Sequence, residues 1–245
     1  MDNGLFWLGR DRRGQGIVYR ANGYSGVRIS THAVEWQIQQ YADLSDAIGY
    51  TYQQDGHSFY VLVFPSADTT WVYDAATQAW HERAGFDDGN FTRHRSNCQM
   101  AFNNKVVVGD FQNGNIYAFD LDDFSDNGGI QKWLRTWRAL PTGQNNLRRT
   151  AQHTLQLDCE SGVGLNLGQG SNPQVMLRFS DDGGHTWSNE HWKSMGKIGE
   201  YYKRVLWRRL GMTTKLRDRV YEVSGTDPVK IAIMGAELIL SPTNA

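Results

Sequence analysis

The octapeptide Ser180-Asp181-Asp182-Gly183-Gly184-His185-Thr186-Trp187 fits the Asp-box pattern S-x-D-x-G-x-T-W at every fixed position. This local signal constrains the chain more than any other, because it prescribes a β-hairpin. Met176-Leu177-Arg178-Phe179 reads as the incoming strand, and Trp187 is expected to start the return strand. Between them the Asp182 carboxylate can turn back onto backbone N–H groups. Gly183 and Gly184 supply the positive φ angles that a tight connection needs. Thr186 can bond across the loop, and Trp187 is expected to anchor it in the core. Ser180, Asp182, Gly184, Thr186 and Trp187 therefore form a folding device that carries no catalytic group.

The composition agrees with a β-rich chain. Twenty-six Gly against five Pro provide many tight turns, and nine Trp among 245 residues supply bulk for one large or two modest cores. A formal net charge of −1 leaves no global field to select nucleic acid or membrane. Cys98 and Cys159 sit in no metal-binding spacing and read as two buried, reduced thiols. Met1 to Leu5 lacks a basic, then apolar, leader pattern, and no apolar run approaches the ~20 residues of a membrane span. A soluble protein made in the cytoplasm, with no membrane partner, is the expectation.

A weak repeat runs through the first half. Tyr60-Val61-Leu62-Val63-Phe64 leads to Thr70-Trp71-Val72-Tyr73-Asp74, and Lys105 to Asp110 leads to Asn115 to Asp120. The spacing between copies is that of a propeller blade, ~40–50 residues. Asp55-Gly56 and Asn113-Gly114 supply turn chemistry. Phe6-Trp7-Leu8 with Gly16 to Tyr19 reads as an earlier copy. A helix near 31–46, capped by Ser30 or Thr31 and with Val34, Ile38 and Tyr41 on one face, is inserted after it. Three partial units are too few to close a propeller.

The polar stretch at 141–149 reads as a linker. Beyond it, Leu155–Leu157, Val175–Phe179, Tyr202–Trp207, Arg219–Val223 and Val229–Ile233 read as strands, and Gly162–Pro173 as a mobile loop. The predicted fold is all-β: a partial β-propeller over 1–140, then a β-sandwich-like domain with the Asp-box hairpin over 150–245.

Catalytic signatures are hard to find. HExxH, GxSxG, P-loop and GxGxxG patterns do not occur. His185 and His191 flank the Asp-box turn but read as surface histidines, and Asn90-Phe91-Thr92 as a chance sequon. No metal, cofactor or catalytic residue is assigned. Because Asp-boxes resemble hairpins found in sialidases, a glycan-binding or glycan-cleaving propeller for host recognition is the alternative reading. That chemistry needs convergent carboxylates, or a Tyr/Glu pair with an arginine cluster.

Charge patterning is more informative. Lys193, Lys197, Lys203, Arg204, Arg208, Arg209, Lys215, Arg217 and Arg219 face only Glu200 and Asp218 in the same stretch. Lys203, Arg204, Arg208, Arg209, Lys215, Arg217 and Arg219 are the candidate interface. In a regular strand Lys203 to Arg209 cannot all share one face, which weakens a DNA-binding reading and leaves solvated edge charges or a protein contact. Asp110, Asp120, Asp122, Asp123 and Asp126 form an acidic counterpart. Opposite patches on one chain suit head-to-tail assembly.

Several stretches together resemble the packaged-DNA stabilization proteins of short-tailed bacteriophages, the tail accessory or nozzle components. They include Gly23 to Glu35, Gly56 to Pro65, Thr70 to Asp74, Trp80-His81-Glu82, Leu177 to Gly184 and Gly196 to Gly199. Members of that family are longer, so the resemblance places this chain at their C-terminal portion. It implies a virion tail protein in a sixfold hub below the portal and its adaptor ring. Such a hub extends the channel, helps retain packaged DNA, and meets the tail needle and tailspikes. Contact with DNA in the lumen would be non-specific. A structural role without chemistry is the expectation.

Overall fold

The computed structural model describes residues 4–12, 14–138, 149–213 and 219–243. Two compact units divide the chain, Met1–Leu121 and Asp122–Ala245.

The first unit is a series of antiparallel meanders. Strands β1 (Phe6–Asp11), β2 (Gly14–Asn22) and β3 (Ser25–Arg28) form the first sheet. Helix α1 (His32–Gln39) follows. Strands β4 (Ile48–Gln54), β5 (His57–Phe64), β6 (Thr69–Asp74) and β7 (Ala79–Glu82) form a four-stranded sheet. A short hairpin, β8 (Ala84–Asp87) and β9 (Asn90–Arg93), leads to the last sheet, β10 (Ser96–Phe102), β11 (Lys105–Asp110) and β12 (Ile116–Ala118).

The middle sheet explains why β5 reads as unbroken apolar sequence: both of its faces are buried. Tyr60, Leu62 and Phe64, with Tyr73 of β6, pack against Val18, Val34 and Ile38 of the first sheet and helix. The intervening Val61, Val63 and Val72 pack with Tyr52, Val106 and Phe119 toward the last sheet. Period-two alternation sends successive side chains to opposite sides, so a strand between two neighbours must be apolar at every position. Successive sheets thus stack face to face, as blades do. Tyr24 and Val27 at one end and Met100, Phe102 and Ile116 at the other remain exposed.

The turns are local chemistry. Asp55 (φ 49°) and Gly56 (φ 78°) both take the left-handed conformation that a two-residue hairpin loop requires. Asn113 works differently from the expected Asn-Gly hairpin, its Oδ1 accepting from Asn115 N at 2.8 Å in an Asx turn. Helix α1 is shorter than the expected 31–46. Thr31 is its cap, with Oγ1 accepting from Val34 N. Ser30 is instead buried between strand and helix, accepting from Val18 N at 3.0 Å and donating to Glu35 Oε1 at 2.6 Å. Burial works to raise the Glu35 pKa, but hydrogen bonds from Arg28 and Ser30 override it and leave the carboxylate below its ordinary value.

The second unit is a two-sheet sandwich. One sheet has the order β13 (Trp133–Arg138), β18 (Val220–Gly225), β15 (Gln174–Ser180), β16 (His191–Ser194). The other has the order β17 (Val205–Arg208), β14 (Thr150–Cys159), β19 (Ile233–Pro242). Leu155, Leu157, Val175, Leu177, Val205, Trp207, Tyr221 and Val223 fill the space between them. The loop expected over Gly162–Pro173 is irregular and closes on itself, Leu165 N donating to Gly170 O at 2.8 Å.

Three expectations need correction, and a fourth falls almost wholly outside the described residues. The division falls at Leu121/Asp122 and not at 140, because β13 pairs with β18 from Trp133↔Gly225 to Arg138↔Val220. The proposed linker lies, except for Arg149, outside the described residues. Strand β17 begins at Val205, and the last strand at Ile233 and not at Val229. The cysteines are free but not both buried: Cys98 lies exposed on β10, and Cys159 is partly exposed.

Candidate functional site: the Asp-box hairpin and the basic edge

The Asp-box joins β15 to β16, and its hydrogen bonds follow from residue type. Ser180 is buried, donates its hydroxyl to Asp182 Oδ1 at 2.7 Å and accepts from Gly184 N at 2.9 Å. Asp182 also accepts from Thr186 N at 2.9 Å and Thr186 Oγ1 at 2.6 Å. Gly183 (φ 78°) and Gly184 (φ 100°) make the reversal that lets one carboxylate reach across the loop. Those hydrogen bonds, from Thr186 first and then Ser180, hold the Asp182 carboxyl far below the usual carboxylate range.

Trp187 departs from expectation. It lies in irregular chain, the return strand starting only at His191, and it is half-buried. Its ring is covered by the Arg178 guanidinium, 4.6 Å from the centroid. His185 is exposed in the turn, while His191 stacks on Phe179 with centroids 6.0 Å apart.

Because Asp182 closes the loop in its charged form, Asp182→Ala is expected to lower the unfolding midpoint of the sandwich in a thermal scan. Asp182→Asn should recover part of the loss. The folded pKa lies below the unfolded one. The contribution of Asp182 is therefore complete above the ordinary carboxylate pKa and disappears as pH falls through the depressed value.

The basic candidates do not act as one group. Arg219 is only 2% exposed, which removes it from any surface. Its Nε and Nη2 donate to the two Asp181 carboxylate oxygens at 2.6 and 2.7 Å. Nη1 donates to Leu210 O at 2.6 Å, Nη2 also to Met212 O at 3.1 Å, and the guanidinium lies 4.1 Å from the Phe179 ring centroid. Arg219 is an internal clamp joining the Asp-box loop to the segment after β17. Sequence reasoning counted its charge and missed its partner, which lies 38 residues upstream. Lys215 and Arg217 lie outside the described residues. Asp110 likewise leaves the acidic patch: its side chain is fully buried, 3.5 Å from Arg95 Nη1, and accepts from Gln112 N.

Lys203, Arg204, Arg208 and Arg209 are exposed. Val205 and Trp207 of β17 point into the core, so alternation sends Arg208 outward. The strand ends there, and Arg209 adopts φ 60°, a left-handed conformation unusual for an arginine. This break in the strand period brings Arg208 and Arg209 to one groove of about 850 Å³, bordered also by Glu190, His191, Trp192 and Lys193 of the β16 side. Lys203 and Arg204 do not border it, in keeping with the expectation that Lys203 to Arg209 cannot all share one face.

The first unit offers further polar groups, each engaged internally. His57 Nδ1 and Asp74 Oδ2 are 2.8 Å apart. Tyr50 and Ser96 share a short hydrogen bond, and His94 Nδ1 lies 2.6 Å from Ser96 Oγ. The Arg83 guanidinium lies over the rings of Tyr52, Phe59 and Phe119, at 5.6, 5.8 and 5.5 Å. Among the described residues no three His, Cys, Asp or Glu gather in a way that could hold a metal, and no helix is long and apolar enough to cross a membrane.

Comparison with known protein families places this architecture. Residues 1–123 match the family described as bacteriophage P22 Gp10, beta-propeller. Residues 132–240 match the one described as bacteriophage P22 Gp10, beta-sandwich. Comparison with curated proteins gives no match. With stacked blade-like sheets followed by a two-sheet sandwich, each matched by its own part of the same phage protein, the chain belongs to the bacteriophage P22 Gp10 family and is a structural protein of a phage tail.

Proposed function

We propose that this protein forms part of a tail hub, or nozzle, that closes the DNA channel of the virion and stabilises packaged DNA. The observation that carries the reading is the pair of family matches in chain order across both units. The physical character of the chain supports it. Face-to-face sheets and a sandwich whose Asp-box loop is tied by its own hydrogen bonds and by the buried Arg219 yield little under load, as a plug must. On this reading the hub is a homo-oligomer, a sixfold ring. Its neighbours are the portal-adaptor ring, the tail needle and the tailspikes. DNA in transit must slide, so any contact with it is weak and non-specific, and the cations on the sandwich serve protein contacts.

The test is assembly onto particles. Purified protein added to DNA-filled particles that lack it should bind at the tail vertex and appear as a sixfold density in averaged electron micrographs. Binding to sialylated glycans by a monomer, with no particle attachment, would favour the glycan-directed alternative.

A further inference from the structure

We propose that the groove between β16 and β17 docks an acidic, extended segment of another virion protein, which adds to the edge of β17 as a further strand. The proposal rests on the hub reading and gives the chemistry of one of its partners.

The direction of the backbone opens this edge. Among the described residues β17 pairs only with β14, from Leu157↔Val205 to Thr154↔Arg208. Arg209 N donates to His153 O at 2.8 Å, toward β14. The carbonyl at the other end of that peptide, Arg208 O, therefore points away from β14. In an antiparallel strand the main-chain groups of alternate residues share a side. The N–H and C=O groups of Leu206 and Arg208 thus face the outer edge, and both residues border the groove. An extended segment pairs with such an edge through its main chain.

The opposite wall is β16, the edge strand of the other sheet. Trp207 Nε1 ties the two edges together by donating to His191 O at 2.8 Å. Buried Trp207 and Leu210 form an apolar base, and Trp192, 55% exposed, adds an apolar surface on the β16 side.

Charge selects the occupant. Lys193, Arg208 and Arg209 border the groove against a single acid, Glu190. Among the described residues no carboxylate forms an ion pair with any of these three cations. Cations on an edge discourage pairing with another copy of the same strand. They favour a strand that carries carboxylates, since opposite charges across a strand pair attract. A nucleic-acid backbone has the matching charge, but its phosphates only accept hydrogen bonds. The outward carbonyls of Leu206 and Arg208 need donors, and a polypeptide main chain supplies both kinds of group.

The probe is a labelled synthetic peptide of about six residues, the length of a common strand, alternating Glu and Val and blocked at both ends. Fluorescence anisotropy with the full chain should show saturable binding. Arg208→Glu with Arg209→Glu should weaken it by about tenfold or more. A depsipeptide of the same side chains, with esters in place of amides, keeps the charges and lacks the donors. It should also bind about tenfold more weakly. Hydrogen exchange should show the Leu206 and Arg208 amides protected when the peptide is bound. Arg209→Gly removes one cation at a φ that glycine adopts freely, so it should weaken binding while leaving the thermal midpoint unchanged or raised.

Absence of peptide binding would overturn the proposal while leaving the hub reading in place, since that is tested on particles. Equal binding of peptide and depsipeptide, without protection at Leu206 and Arg208, would reduce the contact to charge alone and equally overturn it. So would duplex DNA that binds more tightly than the peptide at the same salt and loses its affinity in the double arginine variant.

Discussion

Replacing Arg219 with methionine is expected to cost the sandwich about 3–5 kcal/mol, the range for removing one member of a buried ion pair. The guanidinium satisfies both oxygens of Asp181 and two backbone carbonyls, at Leu210 and Met212. Methionine fills much of the volume but leaves the Asp181 carboxylate and both carbonyls without their donor. Arg219→Lys should fall between, since a single ammonium cannot reproduce the planar fork. Denaturant unfolding read in the second unit measures both. A surface charge would behave differently, its removal shifting stability by no more than about 0.5 kcal/mol. The same experiment thus separates the clamp from the exposed interface residue that the sequence suggested.

Acid should weaken the first unit well before carboxylate titration would account for it. Burial, with repulsion from Arg83 and Arg95, pushes the His94 pKa down to about 3. Its Nδ1 accepts from Ser96 N at 3.2 Å, so the folded state needs the neutral ring. Unfolded, the ring protonates near pH 6.5. A folded pKa below the unfolded one means the unfolded state gains protons first as pH falls. The stability is complete above about pH 6.5 and declines toward pH 3, by roughly 3 kcal/mol at pH 4 at ~1.36 kcal/mol per unit. His94→Gln keeps an acceptor and does not titrate, so it should flatten the dependence between pH 4 and 6.5. Hydrogen exchange of β9 and β10 against pH, in both proteins, would read it. An equal slope in His94→Gln would remove His94 from the account.

How legible all this was depends on the range of each interaction. The Asp-box turn could be read from Ser180 to Thr186 because its partners lie within eight residues, whereas Trp187 lies outside the return strand and is only half-buried. The repeat of the first unit was legible for a similar reason. A strand buried on both faces has to be apolar at every position, and β5 is nearly so. The family resemblance, carried by phrases scattered over both halves, led to the family that the comparisons show.

What stayed hidden depends on distant pairing. Trp133 to Arg138 looks like an extension of the first unit until β18 supplies its partner some 85 residues on. Arg219 looks like one more cation until Asp181 is beside it. Asp110 looks like part of an acidic patch until Arg95 covers it. In each case charge and hydropathy were read correctly and location was not, because composition says nothing about which segment will lie opposite. The groove was hidden by a regularity. Strict alternation separates Arg208 from Arg209, yet both border one groove at the point where Arg209 takes a left-handed backbone.

The proposed function is that this protein helps retain DNA by completing a tail. Its most direct test is the DNA content of particles assembled without the protein, followed over time with and without the purified chain added back. The account predicts that particles lacking it release their DNA, that addition restores retention in proportion to occupancy of the tail vertex, and that no substrate is consumed. Equal retention with the vertex empty or occupied would contradict it.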